Sequence, residues 1–361
     1  MKLGVKRGEI KLVDPQKGWK DEFQKIREEI YAATGIGFNY IEHIGSTSIV
    51  DIKAKPMIDF AVGVDDINKV SASTFEKFRK IGFHRLRVVL ENEIVLARFT
   101  DDTFEIKTHI IHLIDYKGKK WNDFISFRNK LNSSKELRKE YESIKESFIK
   151  NESGDMNDYT NYKAEFIQNV LREVNIAHLK KQLSTIDEIL FFDENQYLRE
   201  KTSDPMKLKQ LIGEAENLLL NCEGKDKVFL YGTLGNLYRI NGQPKKAIHC
   251  LTYCVDFAEA KGNPTNEIIF CIRLGEAFKY DNCHKKALDL FNKALKLCDT
   301  HRIDEYMDFA YQHKGKCLME LGMPIEAKQC FEQALILRTV KGNTSLIDST
   351  KQAIEFIRKN Y

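Results

Sequence analysis

A pattern of small and large apolar residues recurs three times in the second half of this 361-residue chain, with a period of 40 residues. Each copy has a glycine, an alanine twelve residues later, a large apolar residue four further on and a small residue three after that. The copies are Gly235, Ala247, Leu251 and Cys254; Gly275, Ala287, Phe291 and Ala294; and Gly315, Ala327, Phe331 and Ala334. Small residues let antiparallel helices approach closely, but one helix pair cannot bury its apolar face alone. The period therefore predicts stacked helix pairs over about residues 205–345.

Shorter segments flank the three copies. Residues 207–221 follow helical spacing and are predicted to be half of an earlier pair. Residues 346–359 carry apolar residues between many polar ones, as a capping helix does. We therefore predict that an all-α repeat domain spans residues 205–361 and that a helical connector covers 176–204.

The repeat resembles the tetratricopeptide repeat, whose usual period is about 34 residues. The six extra residues fall after the second helix of a pair, at 261–264 and 300–304. Longer-period variants resemble the repeats of bacterial peptide-sensing regulators and of kinesin light chains. The third copy departs from the family pattern, because Lys314 precedes its glycine and Leu318 replaces an aromatic residue. The resemblance implies a solenoid that holds a protein or peptide partner.

The first helix of each pair usually lines the concave face of such a solenoid. The residues at or near these positions are Asn236, Arg239, Arg273, Lys279, Gln312 and Lys316. Positive charge on this face favours a partner with acidic groups or a C-terminal carboxylate. The alternative is an ordinary charged helix surface.

The first half of the chain mixes helix-like and strand-like patterns. Helical spacing runs through Trp19, Phe23, Ile26 and Ile30 and around residues 75–81, and strands are predicted at 39–44, 56–64, 93–99 and 104–114. Further helices are predicted at 119–131, 135–150 and 159–174. The mix indicates an α+β domain over residues 1–175, with a small mixed sheet covered by helices.

The sharpest local feature of this half is a strand that ends in Gly45-Ser46-Thr47, followed by a strand that carries Asp59. Small residues with accessible amides can hold phosphate groups. A carboxylate beside those phosphates can hold Mg²⁺, which usually takes one or two carboxylates plus substrate phosphates. Such an ion neutralises charge and aligns an in-line attack on the α-phosphate.

At these residues the chain resembles the GrpB family, which is grouped with the nucleotidyltransferases of the DNA polymerase beta type. Further matches are Pro15 and Trp19, residues 108–113, Phe127, Arg128 and Leu131, Tyr141 and Lys145, and Tyr159, Thr160, Lys163 and Phe166. The resemblance covers about residues 8–174. It implies a nucleotidyltransferase-like fold that binds a nucleoside triphosphate, with Mg²⁺ as cofactor.

One position departs from the wider superfamily, because Ala61 stands where a second acidic residue is expected. Glu42, Asp51 and Glu105 are candidate substitutes, and we expect Asp59 with Glu105 to hold the metal, assisted by Glu42. The residues expected to bind the nucleotide are Gly45, Ser46, Thr47, Lys53, Lys55, His43, Arg128 and Lys163.

Each of these assignments has a structural alternative. For Asp59 the alternative is an ion pair with Lys53 or Lys55, and for Gly45-Ser46 it is a tight turn. For His43, His109 and His112 it is a hydrogen-bonded place in the core. For Arg128 and Lys163 it is a charged helix surface that packs over the sheet.

Charge and hydropathy narrow the function classes. The formal net charge is +4 and no apolar run reaches the ~18–20 residues that span a bilayer. We therefore expect a cytoplasmic protein without a membrane partner; nucleic acid is not indicated, although it remains open as an acceptor. Two functions stay open: a nucleotidyltransferase whose repeats select the acceptor, and a non-catalytic nucleotide- or anion-binding adaptor or peptide sensor.

Overall fold

The computed structural model describes residues 1–6, 9, 11–151, 156–220 and 222–361. Over these residues the chain forms two compact units, Met1–Asn175 and Ile176–Tyr361. The predicted fold class is confirmed, since the first unit is α+β and the second is built mainly from paired helices.

A mixed sheet forms the centre of the first unit. Its strands are β1 (Val5–Lys6), β2 (Ile41–Ile44), β3 (Ile58–Val64), β4 (Phe83–Arg85), β5 (Ile94–Phe99) and β6 (Ile106–Asp115). The order is β2-β3-β6-β5-β4, and β1 pairs with the start of β6. Strands β3 and β6 are parallel, with Asp59 opposite Ile110, whereas β2 runs antiparallel to β3 with Ile44 opposite Asp59.

Helices cover both faces of this sheet. They are α1 (Gly18–Thr34), α2 (Ala72–Lys80), α3 (Lys119–Ser133), α4 (Lys135–Asn151) and α5 (Met156–Leu183). The residues predicted from helical spacing in α1 pack with Phe60 and Val62 on one face of β3. Because successive side chains of a strand alternate, Asp59 and Ala61 point to the other face, where Ala61 packs with Trp121 of α3.

The repeats form helix pairs in the predicted register. After α6 (Pro205–Leu219) come α7 (Gly224–Ile240) with α8 (Pro244–Ala260), α9 (Pro264–Tyr280) with α10 (His284–His301), α11 (Met307–Glu320) with α12 (Pro324–Lys341), and finally α13 (Thr344–Asn360). Asn221, the last residue of the predicted half-repeat, lies outside the described residues. A Cβ at Gly235, Gly275 or Gly315 would stand 2.4 Å, 2.6 Å or 2.7 Å from Leu251, Phe291 or Phe331. The recurring glycine therefore lets each large residue contact the facing helix.

The predicted helical connector over 176–204 is wrong beyond Leu183. Helix α5 ends at Leu183, and an antiparallel hairpin follows, made of β7 (Leu190–Asp193) and β8 (Arg199–Thr202). The apolar residues of this segment contact the repeats instead of continuing a helix, with Leu198 in one buried cluster with Leu318 and Phe331.

Within the described ranges, no helix is both long enough and apolar enough to cross a membrane.

Replacing Gly275 with alanine should destabilise the repeats by about 1–2 kcal/mol, because overpacking against Phe291 outweighs the higher helix propensity of alanine. The measurement is the midpoint of urea unfolding followed by circular dichroism.

Gly213→Ala in α6 is the matched control, since no atom lies within 4 Å of the Cβ that it would add. It should leave the midpoint unchanged or raise it. Equal effects of the two substitutions would contradict the close-approach explanation.

Candidate functional site

The turn after β2 lies directly against the carboxyl group of Asp59. Gly45 has a φ of +70°, and a Cβ at this position would stand 2.1 Å from Oδ2 of Asp59. The short helical turn Ser46–Ser48 follows at once. Only glycine satisfies both the backbone conformation and the contact, so the local sequence brings the backbone of the turn next to the carboxylate.

These residues open into a cavity of about 520 Å³ within the first unit. The sheet contributes Asp59 and His112, and the segment before β3 contributes Lys55 and Met57. Helices α3, α4 and α5 contribute Phe124, Phe127 and Arg128, then Tyr141, then Tyr159, Thr160 and Lys163. The volume and the mixture of aromatic walls with a few charged groups are typical of small-molecule sites.

Two ammonium groups meet in this cavity. The Nζ atoms of Lys55 and Lys163 lie 3.8 Å and 4.3 Å from the centre of the Tyr159 ring. Burial, and then repulsion by Lys163, lowers the pKa of Lys55 to about 7, while burial lowers the pKa of Lys163 to about 8. A bound anion would favour the charged form of both lysines.

A third lysine reinforces this positive region. Burial, and then repulsion by Lys163, lowers the pKa of Lys145 to about 7. Its Nζ donates to the backbone oxygen of Lys53 and lies 4.7 Å from the centre of the Tyr141 ring. The Tyr141 hydroxyl lies 3.4 Å from Oγ of Ser46, so Tyr141 contacts both this lysine and the Gly45–Ser46 turn.

Asp59 is the carboxylate nearest to the turn. Burial raises its pKa to about 6, and the charges of His112, Lys163 and Lys55 act in the opposite direction. Such a carboxyl changes charge close to neutral pH, which suits a proton acceptor or a ligand of a cation that arrives with phosphate.

A histidine–glutamate pair lies beside Asp59. His112 is opposite Ala61 on the parallel strand, so it shares the face that carries Asp59. Its Nδ1 lies 2.6 Å from Oε1 of Glu93, whose other oxygen is 2.5 Å from Nζ of Lys120. Glu93 is buried and orients the imidazole, as the carboxylate does in a general-base pair.

The structure brings most of the predicted nucleotide-binding residues together. Gly45, Ser46, Thr47, Lys55, Arg128 and Lys163 line the cavity, together with Asp59, which was predicted to hold the metal. Within this group, Arg128 is already engaged, since its Nη1 donates to Oε2 of Glu42 and to the backbone oxygen of His43, both at 2.7 Å. Arg128 thus fixes the end of β2.

Four predicted residues do not reach the cavity, and these assignments are corrected. Lys53 lines a separate pocket and bonds Glu146 at 2.6 Å. His43 is stacked on Phe23, with its pKa lowered to about 3 by burial. Glu42 is held by Arg128. Glu105 precedes β6 by one residue, is largely exposed and pairs with Lys6 at 3.6 Å.

The expected metal pair of Asp59 and Glu105 therefore does not form, because β6 places Ile110 opposite Asp59. Asp51, the other candidate, is exposed and lines a separate surface pocket. In the described ranges, no group of three or more His, Cys, Asp or Glu side chains is placed to hold a metal. The residues present fit one carboxylate ligand, with the remaining ligands coming from a bound phosphate and water.

Sequence reasoning missed Glu93 and Lys120. Neither residue stands in a recognisable motif, and Glu93 reaches His112 across 19 positions of sequence. The pairing of β5 with β6 makes this contact, with Val95 opposite His112. No local pattern carries that information.

The predicted partner-binding residues of the repeats are mostly engaged within their own unit. Arg239 bonds Glu200 and Asn236, both at 2.7 Å, and Lys316 donates to the backbone oxygen of Leu198. The backbone oxygen of Lys279 accepts from Arg199, and Gln312 is buried. Arg273 is exposed and lines a groove with Asn236 and Phe270. The expectation of an open positive face is therefore corrected, because the β7–β8 hairpin covers much of it.

Comparisons with known proteins divide the chain at the same place. The family model described as GrpB protein matches residues 9–173, and a tetratricopeptide-repeat model matches residues 310–338. The glutamate-rich protein GrpB of Alkalihalophilus pseudofirmus is 38% identical over 173 residues, which are 48% of this chain and 99% of that protein. A UPF0157 protein of Streptomyces coelicolor is 28% identical over 159 residues, 44% of this chain and 81% of that one.

Solved structures are similar to each part. The conserved protein GrpB from Enterococcus faecalis is 25% identical, with a TM-score of 0.40, 45% of this chain and 96% of that chain covered. The tetratricopeptide-repeat domain of Arabidopsis FLU is 18% identical, with a TM-score of 0.31, 33% of this chain and 98% of that chain covered.

The raised pKa of Asp59 predicts a pH dependence. An aspartate normally titrates near pH 3.9 when unfolded, so between about pH 4 and pH 6 the unfolded chain loses this proton while the folded chain keeps it. The free energy of unfolding should therefore fall as the pH rises from about 4 to about 6. The fall should exceed that of Asp59→Asn, which lacks this titration, by on the order of 2 kcal/mol.

Urea unfolding of both chains at a series of pH values measures this difference. The ¹³C resonance of the Asp59 carboxyl, assigned by its absence in Asp59→Asn, should titrate near pH 6. A midpoint at or below pH 4 would contradict the account of its burial.

Proposed function

The chain belongs to the GrpB family through its N-terminal domain, and from that premise we propose that the cavity beside Asp59 binds a phosphate-bearing small molecule. A nucleoside triphosphate with Mg²⁺ is the leading candidate, and the helical repeats hold a protein or peptide partner. The observation that carries the proposal is that Lys55 and Lys163 line the same cavity as the Gly45–Ser46 turn and the carboxyl group of Asp59.

Phosphate oxygens are suited to the positive side of the cavity. Lys55 and Lys163 both lie beside the Tyr159 ring and repel each other, and a dianion within reach of both would replace that repulsion with charge-assisted hydrogen bonds. The hydroxyl of Ser46 and the amides of the turn can donate to the same group. The aromatic rings of Phe124 and Phe127 leave an apolar wall for a base or another organic moiety.

Mg²⁺, when it accompanies the phosphates, supplies charge neutralisation next to Asp59. Asp59 fits as its protein carboxylate because it lies beside the turn, whereas Glu93, a second carboxylate of the cavity, is paired with His112 and Lys120. Asp123 of α3 is a third carboxylate of the lining, but among the described residues no group of three or more His, Cys, Asp or Glu side chains is placed to hold metal ions. Of the two functions left open above, ligand binding without turnover therefore has the stronger support.

Nucleotidyl transfer is the second candidate, and the His112–Glu93 pair favours it. In this reaction an acceptor hydroxyl oxygen bonds to the α-phosphorus, the bond to pyrophosphate breaks, and the hydroxyl proton passes to the imidazole of His112. Glu93 stabilises the resulting imidazolium from 2.6 Å. The acceptor would be selected by the partner that the repeats hold.

Two neighbouring lysines provide a matched test of phosphate binding. In isothermal titration of the full chain with the four common nucleoside triphosphates and Mg²⁺, Lys55→Met should weaken binding of the preferred nucleotide about tenfold or more, whereas Lys53→Met should not, because Lys53 bonds Glu146 outside the cavity. Affinity should fall as pH rises from 7 to 9, since Lys55 and Lys163 lose their protons there. No binding by the wild type, or equal losses in both variants, would refute the proposal.

Labelled nucleotides decide between binding and turnover. If the second candidate holds, label from the α-phosphate moves onto protein, RNA or a small acceptor, and His112→Gln slows this transfer by about 10²–10⁴-fold while nucleotide affinity stays within a few-fold. Transfer that survives in both His112→Gln and Asp59→Ala would rule out the assigned roles. Tight nucleotide binding with no transfer of label would support ligand binding without turnover.

A further inference from the structure

The β7–β8 hairpin lies on the inward face of its own repeat array and is recognised there residue by residue. The contacts are made by three consecutive residues, Leu198, Arg199 and Glu200, and they reach helices α7, α9 and α11. Leu198 packs in an apolar cluster, Arg199 bonds a buried carboxylate, and Glu200 bonds a buried guanidinium. These contacts resemble those by which a groove binds a peptide.

Leu198 is the apolar anchor of the segment. Its side chain is 1% exposed, and it packs with Leu318, Met319 and Phe331. Its backbone oxygen accepts a hydrogen bond of 3.2 Å from Nζ of Lys316, which is itself buried. Because Lys316 bonds the backbone of Leu198, this hydrogen bond does not depend on which apolar side chain stands at position 198.

Arg199 is bound by a preformed acceptor. Its Nε and Nη2 contact the two oxygens of Glu320 at 3.0 Å and 2.7 Å, and Nη2 also donates to the backbone oxygen of Lys279 at 3.0 Å. The Glu320 side chain is 3% exposed. Paired contacts between a guanidinium and a buried carboxylate select arginine by shape as well as by charge.

Glu200 meets the opposite charge. One of its oxygens lies 2.7 Å from Nη2 of Arg239, a buried residue of α7. Its backbone amide donates to the Tyr280 hydroxyl at 2.5 Å, and the same hydroxyl lies 3.4 Å from its backbone oxygen. Recognition of backbone and side chain together is how grooves hold an extended peptide.

The hairpin adopts this position at a conformational cost. Tyr197 and Leu198 have φ values of +53° and +58°, in the left-handed region that side chains larger than asparagine rarely occupy. A two-stranded hairpin of this length is only marginally stable alone. An extended segment with the same side chains, but without this strain, would compete well for the same contacts.

We propose that the inward face of the repeats is a recognition site for an extended segment with the pattern apolar–arginine–acidic, and that Leu198-Arg199-Glu200 occupies it as an internal ligand. The partner is a protein or peptide that carries the same pattern and displaces the hairpin. This inference rests on the proposed role of the repeats in partner binding, and it adds the site, the chemistry of the partner and the competition that regulates access.

A labelled copy of the hairpin tests the proposal on the full chain. The probe is a fluorescein-labelled peptide of residues 189–203, and binding is measured by fluorescence anisotropy. The chain variant Arg199→Ala/Glu200→Ala weakens the internal ligand and leaves every residue of the groove unchanged. It should bind the probe at least tenfold more tightly than the wild type, because a larger fraction of its sites is open.

Controls separate recognition from unspecific adhesion. A probe with alanine at 198, 199 and 200, and a scrambled probe, should bind neither chain. Equal affinity of the two chains for the probe, or no binding to the double variant while its circular dichroism is native, would overturn the proposal. Loss of the folded repeats in the double variant would also overturn it, because the hairpin would then be part of the scaffold and not a displaceable ligand.

Selection from a random-peptide phage library distinguishes the internal-ligand proposal from the proposed binding of a partner by the repeats. Peptides that prefer the double variant and share the apolar–arginine–acidic pattern support the proposal. Peptides that bind both chains equally and lack the pattern contradict the internal-ligand proposal and leave partner binding by the repeats intact. If neither chain selects any peptide, both statements fail.

Discussion

Close approach at glycine is the constraint on which both units depend. In the first unit, Gly45 leaves room for the Asp59 carboxyl where a Cβ would stand 2.1 Å from its oxygen. In the second unit, the glycine of each repeat leaves room for a leucine or phenylalanine of the facing helix. A side chain at any of these positions would require backbone to move, and packed interiors yield little. The same small residue therefore positions a polar site in one unit and an apolar seam in the other.

Electrostatics within the cavity follow from the position of Asp59. A carboxyl that is removed from water and faces lysines is matched to a ligand that carries negative phosphate and a cation of its own. Burial lowers the pKa of Lys55, Lys145 and Lys163 toward neutrality, so the site gains positive charge when an anion arrives. In the proposed function, the lysines and the amide-bearing turn would bind the phosphate groups, and Asp59 would face the accompanying cation.

The parts of the fold that sequence reasoning predicted are those with a repeating or alternating pattern. The 40-residue period placed the helix pairs, and the apolar run around Asp59 placed this residue on a strand. Assignments that required a register between distant strands failed, because Glu105 lies five residues before the position opposite Asp59. Lys53 and Lys55 looked equivalent in sequence, but only Lys55 lines the cavity. The hairpin at 190–202 was missed because its apolar residues are explained only by contacts with the repeats.

A crystal of the full chain soaked with a nucleoside triphosphate and Mg²⁺ tests the central claim most directly. The account predicts electron density for phosphate groups between the Gly45–Ser46 turn and the Nζ atoms of Lys55 and Lys163, with the metal bound to a carboxyl oxygen of Asp59. Phosphate density at another surface, with only solvent beside Asp59 at a ligand concentration well above the Kd measured by titration, would contradict it.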